Sequence, residues 1–257
     1  IDIPKDVGLE EFQEYIPVRQ NEIKKTKGLR FNYKTTNTKI KETLTVIKQS
    51  TQPLLYVGGG AITSNATKEI TEFAEKFQIP VTTTLLGKGI FDEKHTLSLG
   101  MLGMHGTAYA NFSVSECDLL IAVGARFDDR VTGKLDEFAC HSKVIHIDID
   151  PAEIGKNRIP EISLIGDVKK IIHELLKEQI NQKVPHKEQT KAWRERIGRW
   201  RQTYPLIVPK GTKKATPQQI ISTLNKLAPN AYFTTDVGQH QMWAAQFIQC
   251  KARRWST

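Results

Sequence analysis

Five short segments of the sequence join glycine to charged or hydroxyl side chains, a combination suited to a phosphorylated ligand. They are Gly58 to Gly60, Gly103 to Thr107, Gly124 to Arg130, His146 to Pro151, and Gly166 with Asp167. Glycine before a helix lets backbone amides approach a phosphate. Guanidinium groups bind phosphate through paired donors, and carboxylates accept hydrogen bonds from sugar hydroxyls. If the segments converge, they predict a long nucleotide with two phosphates and two polyols.

Each segment also has a structural interpretation that the sequence leaves open. The glycines at 58–60 suit a tight turn, the segment at 103–107 suits a capped helix start with a buried histidine, and the charges at 126–130 suit a cluster of salt bridges. The carboxylates of the last two segments suit turns or caps, and Asp167 is a good helix cap in either case. An NAD site is disfavoured, because Thr82 to Thr84 stand where its acidic residue belongs.

The five segments follow short apolar runs that predict a parallel sheet. The predicted strands lie at 54–57, 80–84, 118–123, 143–149 and 162–165, and an irregular glycine-rich stretch runs from 86 to 106. Because the runs are apolar throughout, helices must cover both faces of the sheet. Thr38 and Ser64 are predicted to cap the first two helices. The fold class is a doubly wound, Rossmann-like α/β domain over 36–180, whose strand ends bring the segments to one edge.

The residues outside this domain divide into shorter parts. Residues 1–16 are predicted to be the tail of a preceding domain, and 17–35 and 181–214 to be linkers, the second with one charged helix. Residues 215–257 predict the start of a second α/β domain, with a strand at 231–235 and a helix at 239–249. One βα unit cannot bury a core of its own. We therefore expect this domain to be truncated and the chain to begin inside a larger protein.

The composition indicates a globular protein that attracts anions. The chain has 257 residues, 39% of them hydrophobic and 25% charged, with a formal net charge of +9. Trp193, Ile197, Trp200 and Tyr204 recur at helical spacing, so the basic residues among them indicate the wet face of a packed helix rather than a nucleic-acid site. Three cysteines without a CxxC pair favour a reducing compartment. No apolar run is long enough to cross a membrane.

Four ordered motifs resemble a known family. LGMHGT at 102–107, VGARFDDRVTG at 123–133, HIDIDP at 146–151 and TTDVGQHQMWAAQ at 234–246 are similar to the large, catalytic subunit of acetolactate synthase, also called acetohydroxyacid synthase. Any one motif alone would also suit pyruvate oxidase or glyoxylate carboligase. The resemblance implies a pyrimidine-binding domain ending at 16, a central FAD-binding domain at 36–180, and the start of a thiamine pyrophosphate-binding domain at 215–257.

The resemblance also implies a set of site residues and three cofactors, namely FAD, thiamine diphosphate and Mg²⁺. Met104, His105, Asp129 and Arg130 match positions that line the family's substrate channel. Gln239 and His240 match the start of the thiamine diphosphate site. The family's catalytic glutamate and its metal ligands fall outside this sequence, so no residue here is assigned either role. The implied FAD contacts are Gly58, Gly59, Thr84, Gly103, Met104, His105, Gly106, Thr107, Asn111, Gly124, Ala125, Arg126, Asp128, Arg130, Asp148, Ile149, Asp150, Gly166 and Asp167.

The reaction that the resemblance implies joins two 2-keto acids, either two pyruvates or pyruvate and 2-ketobutyrate, with loss of CO₂. This reaction serves branched-chain amino-acid biosynthesis, and FAD does no net redox chemistry in it. We expect a homo-oligomer, a dimer or tetramer that a regulatory small subunit can join, in the plastid stroma or, alternatively, in a bacterial cytoplasm. The isolated chain is expected to be inactive. The alternatives are another thiamine- and FAD-dependent enzyme, such as pyruvate oxidase or glyoxylate carboligase, and a non-catalytic nucleotide-binding module.

Overall fold

A six-stranded parallel sheet lies at the centre of the computed structural model, which describes residues 35–180, 186–211 and 213–257. Its strand order is β3-β2-β1-β4-β5-β6. This order is that of a doubly wound α/β fold, so the predicted fold class is confirmed. The strands are β1 (Pro53–Val57), β2 (Val81–Thr83), β3 (Ser98–Met101), β4 (Leu119–Val123), β5 (Lys143–Asp148) and β6 (Ile162–Ile165).

Helices cover the two faces of the sheet. One face packs against the first, third and sixth helices, and the other against the fourth and eighth. The helices are α1 (Asn37–Gln49), α2 (Gly59–Thr63), α3 (Thr67–Phe77), α4 (Ala108–Glu116), α5 (Asp129–Thr132), α6 (Val168–Ile180), α7 (His186–Gln189) and α8 (Lys191–Thr203).

The central strands are apolar at every position because both of their faces are buried. In β1, Leu55 and Val57 point into the core on one side, and Leu54 and Tyr56 into the core on the other. All five residues of β1 are buried, as are all five of β4. Alternate residues of a strand face opposite sides of a sheet, so a continuous apolar run indicates a sheet covered on both sides. The unbroken runs were therefore the right signal for these strands.

The structure corrects two predicted helix caps. The first helix is capped by Thr36, whose hydroxyl accepts from the Lys39 amide at 3.3 Å, and not by Thr38. Ser64 lies at the carboxyl end of α2 and caps neither α2 nor α3 at the amino end. Its hydroxyl instead donates to Asp167 and accepts from the Lys169 amide, each at 2.9 Å. Ser64 therefore helps to begin α6, which is far away in the sequence.

Two elements were not predicted from the sequence. Strand β3 falls inside the glycine-rich stretch at 86–106, and its residues Ser98 and Gly100 give no apolar run. It lies at the edge of the sheet and pairs with β2 through an irregular register. The short helix α5 begins inside the charged segment at 124–130 and extends to Thr132. Neither element has the periodicity from which strands and helices were predicted.

The last part of the chain forms a second, smaller arrangement that contacts the β3 edge. It contains α9 (Pro217–Leu227), β7 (Phe233–Thr234), α10 (Gln239–Phe247) and β8 (Trp255–Ser256), and β7 pairs in parallel with β8. Thr216 caps α9 in a complete capping box, with proline in the first turn. The predicted strand at 231–235 and helix at 239–249 are both present but shorter.

Some predictions lie beyond what the structure describes. The tail at 1–16 falls wholly outside the described residues, and the linker at 17–35 does so except for its last residue. The proposed domain boundaries stay predictions. Among the described residues, no helix has both the length and the apolar character needed to cross a membrane.

Candidate functional site

The sheet reverses its strand order between β1 and β4, and open α/β sheets bind ligands beside such a reversal. Two glycine turns meet there. The Gly58 amide donates to Val123 O, and the Gly60 amide donates to Gly124 O, each at 3.0 Å. A Cβ on Gly58 would lie 2.3 Å from the Gly124 oxygen. Close packing of the two turns therefore accounts for Gly58 and Gly60, while cofactor contact at Gly58 and Gly59 stays a prediction.

The loop that follows β4 has its carbonyl groups bonded to the protein. Each of three successive carbonyl oxygens accepts a side-chain hydrogen bond from another element. The three bonds are His146 Nε2 to Ala125 O at 3.2 Å, Tyr56 Oη to Arg126 O at 3.3 Å, and Asn157 Nδ2 to Phe127 O at 2.6 Å. Together with the bond at Gly124, these contacts fix the orientation of every peptide from 124 to 127.

The amides of this loop have no acceptor in the described structure, and two of them belong to the buried residues Ala125 and Phe127. Within the described part of the chain, the N–H groups of Ala125, Arg126 and Phe127 donate to no protein acceptor. The Arg126 side chain beside them is 64% exposed and pairs with Asp128 at 3.7 Å. An exposed ion pair of this length contributes about 0–1 kcal/mol, so it does not hold the guanidinium in place. Unbonded amides beside an exposed, weakly paired guanidinium are suited to bind an anion.

Asp128 begins the short helix α5. Its carboxylate accepts from the Arg130 amide at 3.0 Å. That hydrogen bond, a second one involving the Asp129 side chain, and the nearby Arg126 and Arg130 guanidinium groups hold the pKa of Asp128 below its ordinary value. Asp128 is therefore ionised at neutral pH and suited to accept hydrogen bonds from hydroxyl groups.

His146 supports the loop from the core. Its side chain is fully buried and meets the Phe127 ring edge-on at a centroid distance of 5.2 Å. Because Nε2 faces the Ala125 carbonyl oxygen, Nε2 carries the proton, and Nδ1 is buried with no hydrogen-bond partner. Burial lowers the pKa of His146 below its ordinary value, although Asp148 opposes that shift. The buried histidine of these motifs is therefore His146, whereas the alternative of a buried histidine at 103–107 does not hold, because His105 is exposed.

The loop at 103–107 is built in the opposite way. Four of its five amides are bonded within the protein, from Gly103, Met104, Gly106 and Thr107. Its backbone therefore does not form the anion cradle that the sequence suggested, and this correction follows from contacts that a local motif does not reveal. What the loop exposes is side chains: Met104 is 74% exposed, and His105 is exposed rather than buried.

Two residues predicted as cofactor contacts hold this loop in shape. Asn111 accepts from the Gly103 amide at 2.9 Å and donates to the Gly103 carbonyl at 3.0 Å. Thr107 is buried, donates to Leu99 O at 2.8 Å and caps α4 by accepting from the Ala110 amide. Their side chains have protein partners and thus position the loop.

The substrate-channel residues predicted from the resemblance lie together. The Met104 amide donates to Arg130 O at 3.4 Å, and a Cβ on Gly103 would lie 2.9 Å from that same oxygen. Asp129 and Arg130 form the first turn of α5 and are exposed. The loop at 103–107 and α5 thus form one surface that carries Met104, His105, Asp129 and Arg130.

The acidic residues after β5 and β6 are partly used by turns. Asp148 is buried and accepts from the Asp150 amide at 2.9 Å, and Asp150 accepts from the Ala152 amide at 2.9 Å. Asp167 caps α6 by accepting from the Lys170 amide at 3.0 Å, which confirms its predicted role as a cap. Ile149 is 67% exposed and supplies an apolar surface between two carboxylates.

Gln239 and His240 lie in the first turn of α10, and both are exposed. The same helix contacts the loop at 103–107, because Gln246 Nε2 donates to His105 O at 2.8 Å. A cavity of about 1230 Å³ lies between the β3 edge and this part of the chain, and residues His105 to Thr107 line one of its sides. The structure thus brings the carboxyl end of α10 to the loop that carries Met104 and His105.

A family model for the central domain of thiamine pyrophosphate enzymes matches residues 40–175. The chain belongs to the thiamine pyrophosphate enzyme family. The match covers the whole six-stranded sheet, so the surfaces described above are those of a central domain of this family.

Curated relatives match nearly the full length of the chain. A protein of Porphyra purpurea named acetolactate synthase large subunit is 58% identical over 255 residues, which are 99% of this chain and 43% of that protein. The protein of the same name from Cyanidium caldarium is 55% identical over 260 residues, 99% of this chain and 44% of that protein. An acetolactate synthase of Mycobacterium bovis is 45% identical over 258 residues, which are 99% of this chain and 41% of that protein. The chain spans less than half the length of these relatives, and the resemblance carried by the four motifs is confirmed.

The sequence did not reveal two residues whose side chains bond to the carbonyl groups of the loop after β4. Tyr56 lies inside an apolar strand, and Asn157 lies in a turn far from the motifs; both donate to the loop after β4. A tyrosine within a fully buried strand was the available signal, because a buried hydroxyl needs a hydrogen-bond partner. Nothing in the local sequence marks Asn157.

Proposed function

We propose that the protein is the large, catalytic subunit of an acetolactate synthase, which condenses two pyruvates, or pyruvate and 2-ketobutyrate, with loss of CO₂. The observation that carries the proposal is identity of 45–58% over 99% of the chain to proteins with that name. The reaction would serve the biosynthesis of valine, leucine and isoleucine. Thiamine diphosphate, when bound, supplies the electron sink that decarboxylation of a 2-keto acid requires.

The loop after β4 fits FAD. The free amides of 125–127 and the exposed Arg126 suit the pyrophosphate, while Asp128 and Asp150 suit hydroxyl groups as hydrogen-bond acceptors. The exposed Ile149 suits a flat ring. These residues would bind and orient the dinucleotide along the carboxyl edge of the sheet. Because Gly58 and Gly124 have no side chains, the two turns pack closely against each other, which would leave room for the dinucleotide at this edge.

The surface formed by the loop at 103–107 and α5 fits a small 2-keto acid. The Arg130 guanidinium would pair with its carboxylate, and the exposed Met104 would contact its alkyl group. Gln239 and His240 would contact thiamine diphosphate from the amino end of α10. The catalytic glutamate and the ligands of Mg²⁺ are assigned to no residue of this chain, so the chain alone is expected to be inactive.

The partners and location belong to the same proposal. The enzyme would work as a homodimer or homotetramer of large subunits that a regulatory small subunit can join, with no nucleic-acid partner. Relatives from Porphyra and Cyanidium support the plastid stroma, and the mycobacterial relative keeps a bacterial cytoplasm as the alternative.

The test is an assay of the full-length gene product with pyruvate, thiamine diphosphate, Mg²⁺ and FAD. Sustained acetolactate formation that needs thiamine diphosphate, with the flavin remaining oxidised, is expected. Stoichiometric flavin reduction by pyruvate would indicate the oxidase instead, and turnover of glyoxylate but not pyruvate would indicate the carboligase. FAD binding with no thiamine-dependent reaction would indicate the nucleotide-binding module.

A matched pair of variants sharpens this assay. Arg130→Ala should raise the KM for pyruvate by about tenfold or more, because it removes a charge-assisted hydrogen bond. Lys134→Ala removes an exposed charge four residues away that pairs only with Glu137 in the described structure, and should leave the KM unchanged. Equal KM values for the two variants would remove Arg130 from the proposed channel.

A further inference from the structure

A buried ion pair joins the central domain to the last part of the chain. Lys88, in the segment after β2, is only 5% exposed. Its ammonium lies 2.5 Å from Glu93 Oε1 and donates to the carbonyl oxygen of Ala245 at 2.8 Å. Ala245 belongs to the last turn of α10. The ammonium thus neutralises a buried carboxylate and also satisfies a carbonyl at the negative end of a helix.

Residues of the last part of the chain lie close to this pair on one side. The Lys88 ammonium lies 5.8 Å from the centroid of the Trp255 ring in β8. Gly89 has a φ of +84°, and a Cβ there would lie 2.7 Å from the Lys251 carbonyl group. Burial raises the pKa of Glu93 and raises that of the Cys250 thiol to about 11. The segment at 88–93 therefore contacts the segment at 245–255 closely at Gly89 and Lys88, beside the cavity described above.

Stability alone does not explain a pair of this kind. Removing two charges from water is so costly that an apolar pair of similar volume often holds a fold together as well. What an apolar pair does not provide is a directional bond. Lys88 has three donor directions, of which one reaches Glu93 and another reaches Ala245. The pair therefore fixes where the carboxyl end of α10 lies relative to the central sheet.

We propose that Lys88, held by Glu93, is a positioning residue that sets the place of α10 and through it the cofactor-facing residues at the start of that helix. The distance from Ala245 back to Gln239 is about 9 Å along the helix axis. The helix is short and rigid, so a displacement at one end moves the other. Gln246, the neighbour of Ala245, also bonds to His105 O, so the same tether governs the contact between α10 and the Met104–His105 surface. The part concerning Gln239 and His240 rests on the proposed function.

The variant that tests this role must not leave a charge buried. Lys88→Met alone would leave Glu93 buried without a counter-charge, and a loss of folding would be uninformative. Lys88→Met with Glu93→Gln removes both charges and keeps the volumes. The matched control is Lys76→Met with Glu72→Gln, which removes an exposed i,i+4 pair on α3.

The first measurement is amide hydrogen exchange of the full-length protein without cofactors. In the 88/93 double variant, the amides of α10 should exchange about tenfold faster than in the wild type, while those of β1 and β4 stay unchanged. The 72/76 control should match the wild type throughout. Unchanged exchange in α10 would overturn the tether whether or not the proposed function is right.

The second measurement is the dependence of acetolactate formation on thiamine diphosphate. The concentration for half-saturation should rise about tenfold, the effect of one charge-assisted hydrogen bond, with kcat at saturation kept within about twofold. A merely structural role would lower the active fraction and leave half-saturation unchanged, which would overturn the positioning role. If the wild type shows no thiamine-dependent reaction, the proposed function fails, and the exchange measurement still decides the tether.

Discussion

The loop after β4 and the loop after β3 begin from the same kind of sequence and end with opposite surfaces. Each is glycine-bearing, follows a parallel strand and precedes a helix. At 124–127 the carbonyl groups are bonded to the protein and the amides of 125–127 are free within the described structure. At 103–107 four amides are bonded and the side chains of Met104 and His105 are exposed. The first loop is therefore suited to an anion, and the second to contacts through side chains.

The difference arises from neighbours that are distant in sequence. Tyr56, His146 and Asn157 supply donors to the loop after β4, so its carbonyls turn inward. The loop after β3 meets acceptors instead, from Asn111 and from the carbonyl of Arg130. Which backbone group remains for a ligand is decided by the partner elements, because each buried peptide group must find its bond.

The largest expected effect comes from adding a side chain at Gly124, where the loop after β4 packs against the glycine turn after β1. Gly124 has a φ of +55°, and a Cβ there would lie 2.7 Å from the Ala61 nitrogen. Gly124→Ala should lower the free energy of unfolding by about 3 kcal/mol, because steric overlap adds to left-handed backbone strain. Urea unfolding measures this.

Gly133→Ala is the matched control for that substitution. Gly133 has nearly the same φ, +56°, but a Cβ there meets nothing within 4 Å. Its ψ of −122° lies outside the left-handed helical region, so Gly133→Ala should cost about 1–2 kcal/mol of backbone strain, without the steric overlap expected at Gly124. Equal losses in the two variants would mean that the two glycine turns do not need their close approach.

A smaller effect is expected from loosening the second loop. Asn111→Ala removes both side-chain bonds to Gly103 and should lower the free energy of unfolding by about 2 kcal/mol. Hydrogen exchange should show faster opening near 103–106, with the loop after β4 unaffected. A loss of protection that spreads to both loops would show that they are coupled and would remove the contrast between them.

A third effect is expected from pH, through His146. Its pKa is lowered in the folded state, so the unfolded state binds a proton first as the pH falls. Above the unfolded pKa of about 6.5, His146 is neutral in both states and the free energy of unfolding does not depend on its titration. Below that pH the free energy of unfolding falls, by no more than about 1.4 kcal/mol per pH unit. His146→Gln, which keeps a donor for Ala125 O, should flatten this part of the stability curve. An identical curve between pH 6.5 and 5 would contradict the assignment.

The sequence predicted the features that produce a pattern among neighbouring residues, such as an apolar run or a short motif. The continuous apolar runs of β1 and β4 identified the sheet, and the four motifs identified the family. It was uninformative where one residue serves a partner that is far away. Ser64 resembles a local helix cap, but its hydroxyl bonds to Asp167 and to the Lys169 amide. Likewise, one loop has bonded carbonyl groups because of Tyr56 and Asn157, and the other has a bonded amide because of Asn111. Edge strand β3 has too few apolar residues to be recognised by periodicity.

We propose that the unbonded amides and the guanidinium of the loop after β4 bind the flavin nucleotide. Arg126→Ala in the full-length protein tests this binding most directly, by flavin titration and by thermal unfolding without flavin, with Lys134→Ala as an exposed control. We expect the Kd for FAD to rise about 10- to 100-fold, the effect of one charge-assisted contact. The apo stability should stay unchanged to within about 0.5 kcal/mol, since the Arg126–Asp128 pair is exposed. An unchanged Kd with a lower apo melting temperature would contradict it and would make Arg126 a structural residue.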